Sequence, residues 1–299
     1  MKTRNQHRQR GFTMVEAIAV IVITGIVGAF ITVFIQIPIR TYLTTVGRAE
    51  ATDLADNTMR RLTRDLRLAL PNSVRVGGAG SNYIEYLDTK VGLRYLAEDD
   101  VDAAAGGAYL SWNNAAATTF SVVGGVPGGR HAPVVGDSVV VYNLGHDQEP
   151  GNAYNCSIPG FNCNRAAITA LTASTITMSG NPFFYQAAAG TPLMSPGKRF
   201  HVISGPVSYG CDSATRRLMR YWGYPIARDQ SAPPFPLNAP PVGARSAILA
   251  ENVESCSFSY TSLANQRSGL IGITLRFLPQ DGSTTPTTLV HQIHVNATP

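Results

Sequence analysis

The sequence predicts an α+β fold, in which a long N-terminal helix packs on an antiparallel β-sheet head domain. Three patterns in the 299-residue chain predict it. Residues 17–39 are uncharged and mostly apolar, residues 41–70 carry apolar side chains at helical spacing, and residues 71–299 hold short alternating segments between turn residues. The helical pattern comes first and the strand patterns follow it, as expected for the α+β class.

The uncharged run is long enough to cross a membrane. Its 23 residues, 17–39, extend roughly 35 Å as a helix, whereas a hydrocarbon core is about 30 Å thick. The basic residues Lys2, Arg4, Arg8 and Arg10 precede it, with no acidic residue among them. This positive cluster predicts a cytoplasmic N-terminus in a single-pass protein, so the rest of the chain is expected outside the cytoplasm.

Two common kinds of N-terminal segment explain this region poorly. A secretory signal peptide has an apolar stretch of about 7–15 residues and a small-residue cleavage site, and residues 37–42 offer no such site. A plain signal anchor leaves Glu16 unexplained, because a lone carboxylate in an apolar span costs about 2.5 kcal/mol or more. It also gives no reason for the adjacent Gly11-Phe12 pair.

The segment Gly11-Phe12-Thr13-Met14-Val15-Glu16 resembles the class III signal of type IV pilins and of the pseudopilins of type II secretion. The resemblance implies that a prepilin peptidase removes residues 1–11 and N-methylates Phe12. It also implies that Glu16 meets the N-terminal amine of a neighbouring subunit when the helices bundle. The alternative for Glu16 is an ordinary capping acid, which the helix dipole favours at this end, but capping alone does not require an acid to sit among apolar residues.

Most of the net positive charge of the chain comes from the leader. Removing the leader's four basic side chains lowers the formal charge from +5 to +1. The sequence pI of about 9.1 is therefore no sign of nucleic-acid affinity in the mature chain.

The four cysteines predict disulfides, because their number is even and the compartment is expected to be oxidising. Of the three possible pairings, we favour Cys156–Cys163, which flanks the turn signal Pro159-Gly160, together with Cys211–Cys256, beside strand-like segments. Zinc is the rival explanation, but the sequence has no C-x₂₋₄-C pair.

The helix is expected to continue past the apolar run. Residues 12–40 would form its transmembrane and assembly half, and residues 41–70 its amphipathic half, which together span roughly 85 Å. Pro38 lacks an amide hydrogen and is expected to kink or locally unwind the helix. Asp56–Arg60 and Arg61–Asp65 are possible i,i+4 ion pairs. The predicted apolar stripe comprises Leu43, Val46, Leu54, Met59, Leu62, Leu66 and Leu70.

The head domain, residues 71–299, is expected to be rich in β-strands. Pro71-Asn72 ends the helix, and the last three strands form an antiparallel meander whose buried face carries Ile271, Ile273, Leu275 and Phe277. Residues 102–108, 124–129 and 232–241 are predicted surface loops, and 279–283 a turn. The predicted strands are 82–87, 134–144, 167–178, 199–208, 218–224, 253–260, 270–278 and 288–295.

Two C-terminal segments narrow the resemblance. The segment Gly210-Cys211-Asp212 followed by Arg217-Leu218-Met219-Arg220-Tyr221, and the pattern Val253-x-x-Cys256-x-Phe258-x-Tyr260, resemble the larger minor pilins. The likeness is strongest to the O-type minor pilin of MSHA-type pili, with the J-type pseudopilin of type II secretion as a near relative. It implies a subunit that joins minor and major pilins on an inner-membrane assembly platform, at a filament tip or at low copy number.

Catalytic and metal-binding motifs are weak. The sequence has no G-x-S-x-G and no P-loop, so we expect neither an enzyme nor a bound cofactor. His291 and His294 are three residues apart on a predicted strand and face opposite sides. The acidic residues within 98–102 are a possible calcium site, although we favour a solvated loop.

The sequence indicates two other possible partners, a nucleic acid and membrane lipid. Arg216, Arg217 and Arg220 beside Tyr221 and Trp222 are a possible nucleic-acid surface, but we favour a solvated basic face. Membrane lipid is expected around the apolar helix.

The alternative from another class is a signal-anchored extracytoplasmic enzyme or binding domain, which predicts an uncut leader and a head that works alone.

Overall fold

The computed structural model describes residues 11–100, 107–146, 148–156, 163–184, 190, 192–228, 243–262, 268–279 and 285–299. It confirms the α+β class, because one long helix, α1 (Met14–Leu66), precedes antiparallel strands. The predicted loop 232–241, most of the loop 102–108, the turn 280–283 and the Pro159-Gly160 turn lie outside the described residues. The strands are β1 (Arg75–Gly77), β2 (Tyr83–Tyr95), β3 (Thr119–Val123), β4 (Ser138–Val140), β5 (Arg165–Leu171), β6 (Thr175–Met178), β7 (Arg199–Asp212), β8 (Arg217–Trp222), β9 (Arg245–Glu251), β10 (Val253–Ser262), β11 (Ser268–Phe277) and β12 (Thr287–Asn296).

Helix α1 runs without interruption through Pro38, so the predicted local unwinding at that residue is wrong. A bend there stays a prediction. The helix ends at Leu66 rather than near Leu70. It ends early because the next residues pair with β2. The Leu70 N–H donates to the Leu87 carbonyl at 2.8 Å, and the Leu68 carbonyl accepts from Thr89 at 2.9 Å.

The two halves of α1 differ in burial. Between residues 11 and 45, every side chain whose burial is described is exposed. In the second half, one stripe is buried at steps of three or four residues: Gly47, Ala51, Ala55, Met59, Leu62 and Leu66. The predicted stripe was wrong at Leu43, which is exposed, and it missed Ala51 and Ala55. Small alanines add little to a hydrophobic periodicity but let a helix approach a sheet closely.

The buried stripe of α1 packs into one core with two antiparallel sheets. The larger sheet contains the strands β1-β2-β7-β8-β9 in that order, and the smaller one is the predicted meander β10-β11-β12. Alternate residues of β11 are buried, including all four that the sequence placed on its inner face. The Cys211–Cys256 disulfide joins β7 of the larger sheet to β10 of the smaller one.

A closed ring of six strand segments forms a second module of the head. The end of β2 and the start of β7 pair with each other and with β3 to β6, in the circular order β2-β3-β6-β5-β4-β7. Val202, for example, pairs with Val91 on one side and with Val139 on the other. Phe120 and Phe200 meet edge to face inside the ring, with centroids 5.2 Å apart. Closure leaves these segments without an open edge.

The sequence did not predict this ring. Its expected strand 167–178 is two strands, β5 and β6, because Thr172 makes a turn between them. The Thr172 hydroxyl accepts from the Ser174 N–H at 3.3 Å and from the Thr175 N–H at 2.9 Å. The expected strand 134–144 shrinks to β4, because the Asp137 carboxylate accepts from the Val134 N–H at 2.8 Å and folds that segment into a turn. The sequence predicted no strand at the positions of β1, β3 and β9.

Candidate functional site

The first half of α1 is apolar and exposed along its length in the described chain. It contains an 18-residue window of mean hydropathy 2.8, none of which is buried, and it is long and apolar enough to cross a membrane. Phe12 at its start is 78% exposed. A continuous apolar surface of this size needs lipid or protein to cover it.

Glu16 lies in the first turn of this helix, four residues beyond Phe12. Thr13 is the N-cap, and its hydroxyl accepts from the Glu16 N–H at 3.3 Å. The Thr-x-x-Glu spacing is that of a capping box. The helix dipole also favours a carboxylate in the first turn. Within the described residues, no basic side chain forms an ion pair with Glu16. Its neighbours along the helix are apolar, so in the described chain the Glu16 carboxylate is available to a cation from another molecule.

A protein-family model described as "Prokaryotic N-terminal methylation motif" matches residues 6–32. The match supports a type IV pilin-like protein. It spans the end of the basic leader, the Gly11-Phe12 pair, Glu16 and much of the apolar half of the helix. No curated protein and no solved structure matches the chain, so for the head domain the comparisons give neither the O-type nor the J-type assignment.

The two disulfides in the structure join Cys156 to Cys163, with the sulfurs 2.02 Å apart, and Cys211 to Cys256, at 2.01 Å. These are the pairs that the sequence favours. The first lies next to the start of β5 in the ring, and the second ties the two sheets of the main core together.

Residues 101 and 102 of the predicted acidic cluster lie outside the described residues, and cations of the chain itself engage Asp99 and Asp100. Lys198 donates to Asp99 at 2.7 Å and to Asp100 at 2.8 Å, and Arg94 lies 2.9 Å from Asp100. The hydrogen bond from Lys198 lowers the pKa of Asp100. These contacts give the carboxylates a structural role that competes with calcium.

The two histidines singled out from the sequence do not share a site. His291 and His294 are both exposed on β12; His291 lines a groove between α1 and that strand, as His131 does, whereas His294 does not. His201 sits in the ring, where burial and the nearby Arg199 lower its pKa to about 4. In the part of the chain that the structure describes, no three His, Cys, Asp or Glu residues cluster as a metal site.

The basic hairpin formed by β7 and β8 is partly neutralised. Arg217 lies 3.2 Å from Glu251, and Arg220 lies 3.4 Å from Asp65 of α1 while stacking over Trp222 at 4.8 Å. Arg220 also donates to the Tyr209 hydroxyl at 3.1 Å. Few charges of this hairpin remain for a nucleic acid.

The Asp65 contacts correct a prediction about α1. The expected Arg61–Asp65 pair does not form, because Asp65 instead accepts from the Tyr209 hydroxyl and pairs with Arg220. The expected Asp56–Arg60 pair does form, at 2.7 Å on the exposed side of the helix. Burial raises the pKa of Tyr209, and the neighbouring Asp65 adds to that effect.

A buried polar network, which the sequence did not reveal, holds β1 and β2 to the rest of the head. Arg75 and Glu85 face each other across these strands at 6% and 2% exposure, with Nε donating to Oε1 at 2.8 Å. The Arg75 guanidinium also lies 3.7 Å from the Tyr154 ring centroid. The Tyr224 hydroxyl donates to the second Glu85 oxygen at 3.1 Å. Because the charges are paired and hydrogen-bonded, the network fits a structural role rather than a catalytic one.

Proposed function

We propose that this chain is a non-enzymatic minor type IV pilin that co-assembles with other minor pilins to prime or tip a pilus filament. The observation that carries the proposal is the position of the methylation motif. It sits directly at the head of an apolar, uncovered helix whose first turn holds Glu16. Residues 1–11 would be the cleaved leader, residues 12–40 the inner-membrane and assembly helix, residues 41–70 its amphipathic continuation, and residues 71–299 the periplasmic head.

Processing would create the assembly group. Hydrolysis of the peptide bond between Gly11 and Phe12 by a prepilin peptidase frees a cationic amine, which the same enzyme methylates. A charge brought into an apolar helix bundle needs an opposite partner. The carboxylate of Glu16 on a neighbouring subunit would supply it, because that side chain has no basic partner in its own described chain.

The head supports a tip or low-copy position. It combines the main two-sheet core with an inserted ring of six strand segments, each with a separate hydrophobic core. A bulky two-module head is harder to repeat along a shaft than to place at one end. The partners would be the peptidase, other minor and major pilins, the inner-membrane assembly platform and membrane lipid.

The J-type pseudopilin of type II secretion is the second candidate, because the same motif and helix would serve it. Deletion of the encoding gene in the native bacterium separates the two. We expect surface pili to be lost and exoprotein export to continue, with pili restored by the intact chain. Export lost while pili remain would establish the pseudopilin instead. A head that binds a ligand or catalyses a reaction when expressed without residues 1–40 would favour a signal-anchored binding domain or enzyme.

A further inference from the structure

An open groove lies between the last turns of α1 and the beginning of β12. Its volume is about 1380 Å³, and it is lined by Leu68, which follows the end of α1, and by Leu289 and Val290 of β12, among others. Pockets for small ligands usually enclose about 300–1,000 Å³. The size and open form of this groove favour part of a macromolecule over a small molecule.

The groove carries an excess of positive charge. Arg60 and Arg220 lie in it but are paired with Asp56 and Asp65. Four further arginines line it without a carboxylate partner among the described residues: Arg61, Arg64, Arg67 and Arg130. The remaining acid, Asp88, accepts a hydrogen bond from Ser204 at 2.7 Å. The groove is therefore complementary to an anionic ligand.

One wall of the groove is the edge of a sheet. Strand β12 pairs with β11 on one side, and no described strand pairs with its other side. Val290 on this strand is 70% exposed, and Leu68 across the groove is 40% exposed. An open edge with apolar side chains beside it is the arrangement that accepts an added strand from a partner.

Anionic lipid is a poor match for this position. Arg61 lies 21 residues beyond Arg40 on the same continuous helix, which is roughly 32 Å further from the end of the apolar run. Attraction to charged head groups falls off within a Debye length of about 8–10 Å. A nucleic acid would use the arginines but leave the strand edge, Val290 and Leu68 unused. An acidic peptide in extended form would use all of them.

We propose that this groove binds an extended acidic segment of a partner protein, which adds to the open edge of β12 and places its carboxylates against Arg61, Arg64 and Arg130. Main-chain pairing would fix the direction of the segment, and the arginines would select acidic side chains through charge-assisted hydrogen bonds. Leu68 and Val290 would receive the apolar side chains that alternate with the acids.

The test uses the full chain in a zwitterionic detergent and three fluorescent probes. These are a ten-residue peptide of alternating Glu and Val, the same peptide with Gln in place of Glu, and a ten-nucleotide single-stranded DNA. We expect the Glu peptide to bind at least about tenfold more tightly than either other probe. Charge-assisted contacts distinguish it from the Gln peptide, and the strand edge distinguishes it from DNA.

Four variants make the test specific. The triple variant R61E/R64E/R130E is expected to weaken binding of the Glu peptide at least about tenfold, and Val290→Asn to weaken it without changing any charge. Arg48→Glu is the matched control, because Arg48 is exposed on the same helix away from the groove, and it should bind like the parent chain. Arg75→Met, which is expected to lower the unfolding midpoint, shows that the unfolding measurement detects a destabilised head. A groove variant whose midpoint equals that of the parent chain counts as folded.

Three results would overturn the proposal. DNA binding more tightly than the Glu peptide would make the groove a nucleic-acid site. Binding weakened equally by Arg48→Glu would show attraction to the whole helix, and no binding of any probe would leave a solvated basic face. None of these variants touches Gly11, Phe12 or Glu16, so the groove and the proposed pilin role can fail separately.

Discussion

Replacing Glu16 with alanine is expected to leave cleavage and methylation intact and to abolish filament assembly. The Phe12 amine would enter the helix bundle without its partner, and an uncompensated buried charge costs about 3–5 kcal/mol. That is more than a hundredfold in an assembly equilibrium, at about 1.4 kcal/mol for each factor of ten. Surface pili counted by electron microscopy, with immunoblots of the processed chain, measure the two effects.

Two matched variants separate the charge of Glu16 from its capping position. Glu16→Gln keeps a residue that a capping box accepts but removes the charge, and it should fail as Glu16→Ala does. Thr13→Ala removes the hydroxyl that accepts from the Glu16 N–H, at a cost of about 1 kcal/mol, and it should still assemble. Normal piliation with Glu16→Gln would reduce Glu16 to a helix cap.

Replacing Arg75 with methionine is expected to destabilise the head by about 3–5 kcal/mol, because Glu85 would remain buried without its cation. The same change removes hydrogen bonds to the carbonyls of Ala227 and Arg228, at 3.1 and 2.8 Å. Denaturant unfolding of the full chain in detergent, followed by tryptophan fluorescence, measures the loss.

The exposed Asp56–Arg60 pair is the control for this prediction. Its side chains are 55% and 74% exposed, so Arg60→Ala should cost less than about 1 kcal/mol. The double variant Arg75→Met/Glu85→Leu should recover much of the loss, because it removes both buried charges. Equal unfolding midpoints for Arg75→Met and Arg60→Ala would contradict the structural role of the network.

The sequence predicts those parts of the fold that depend on local periodicity. The continuous helix and the meander β10-β11-β12 follow from spacings within single segments. The six-strand ring does not, because it requires β2 and β7 to pair across more than a hundred residues and then to diverge toward other strands. A residue type such as Thr172 can suggest a turn, but the sequence does not mark where one strand ends and the next begins. Asp65 shows the same limit, since a long-range tyrosine and arginine displace its expected local partner.

The candidate sites divide along the same line. The motif from Gly11 to Glu16 is contiguous, so the sequence contains all of it. The groove brings together α1, β12 and Arg130 from the loop after β3. Its charge excess, six arginines against three aspartates, arises only when these segments fold together, and neither fact is encoded in a local pattern. The Arg75–Glu85 network is hidden for the same reason, since nothing near either residue marks it as buried.

The most direct measurement is the intact mass and N-terminal sequence of the membrane-extracted chain, made with and without a prepilin peptidase. We expect a chain that begins at methylated Phe12 when the peptidase is present and at Met1 when it is absent. A chain that begins at Met1 under both conditions would contradict the pilin assignment, and it would leave Gly11 and Glu16 without the roles proposed for them.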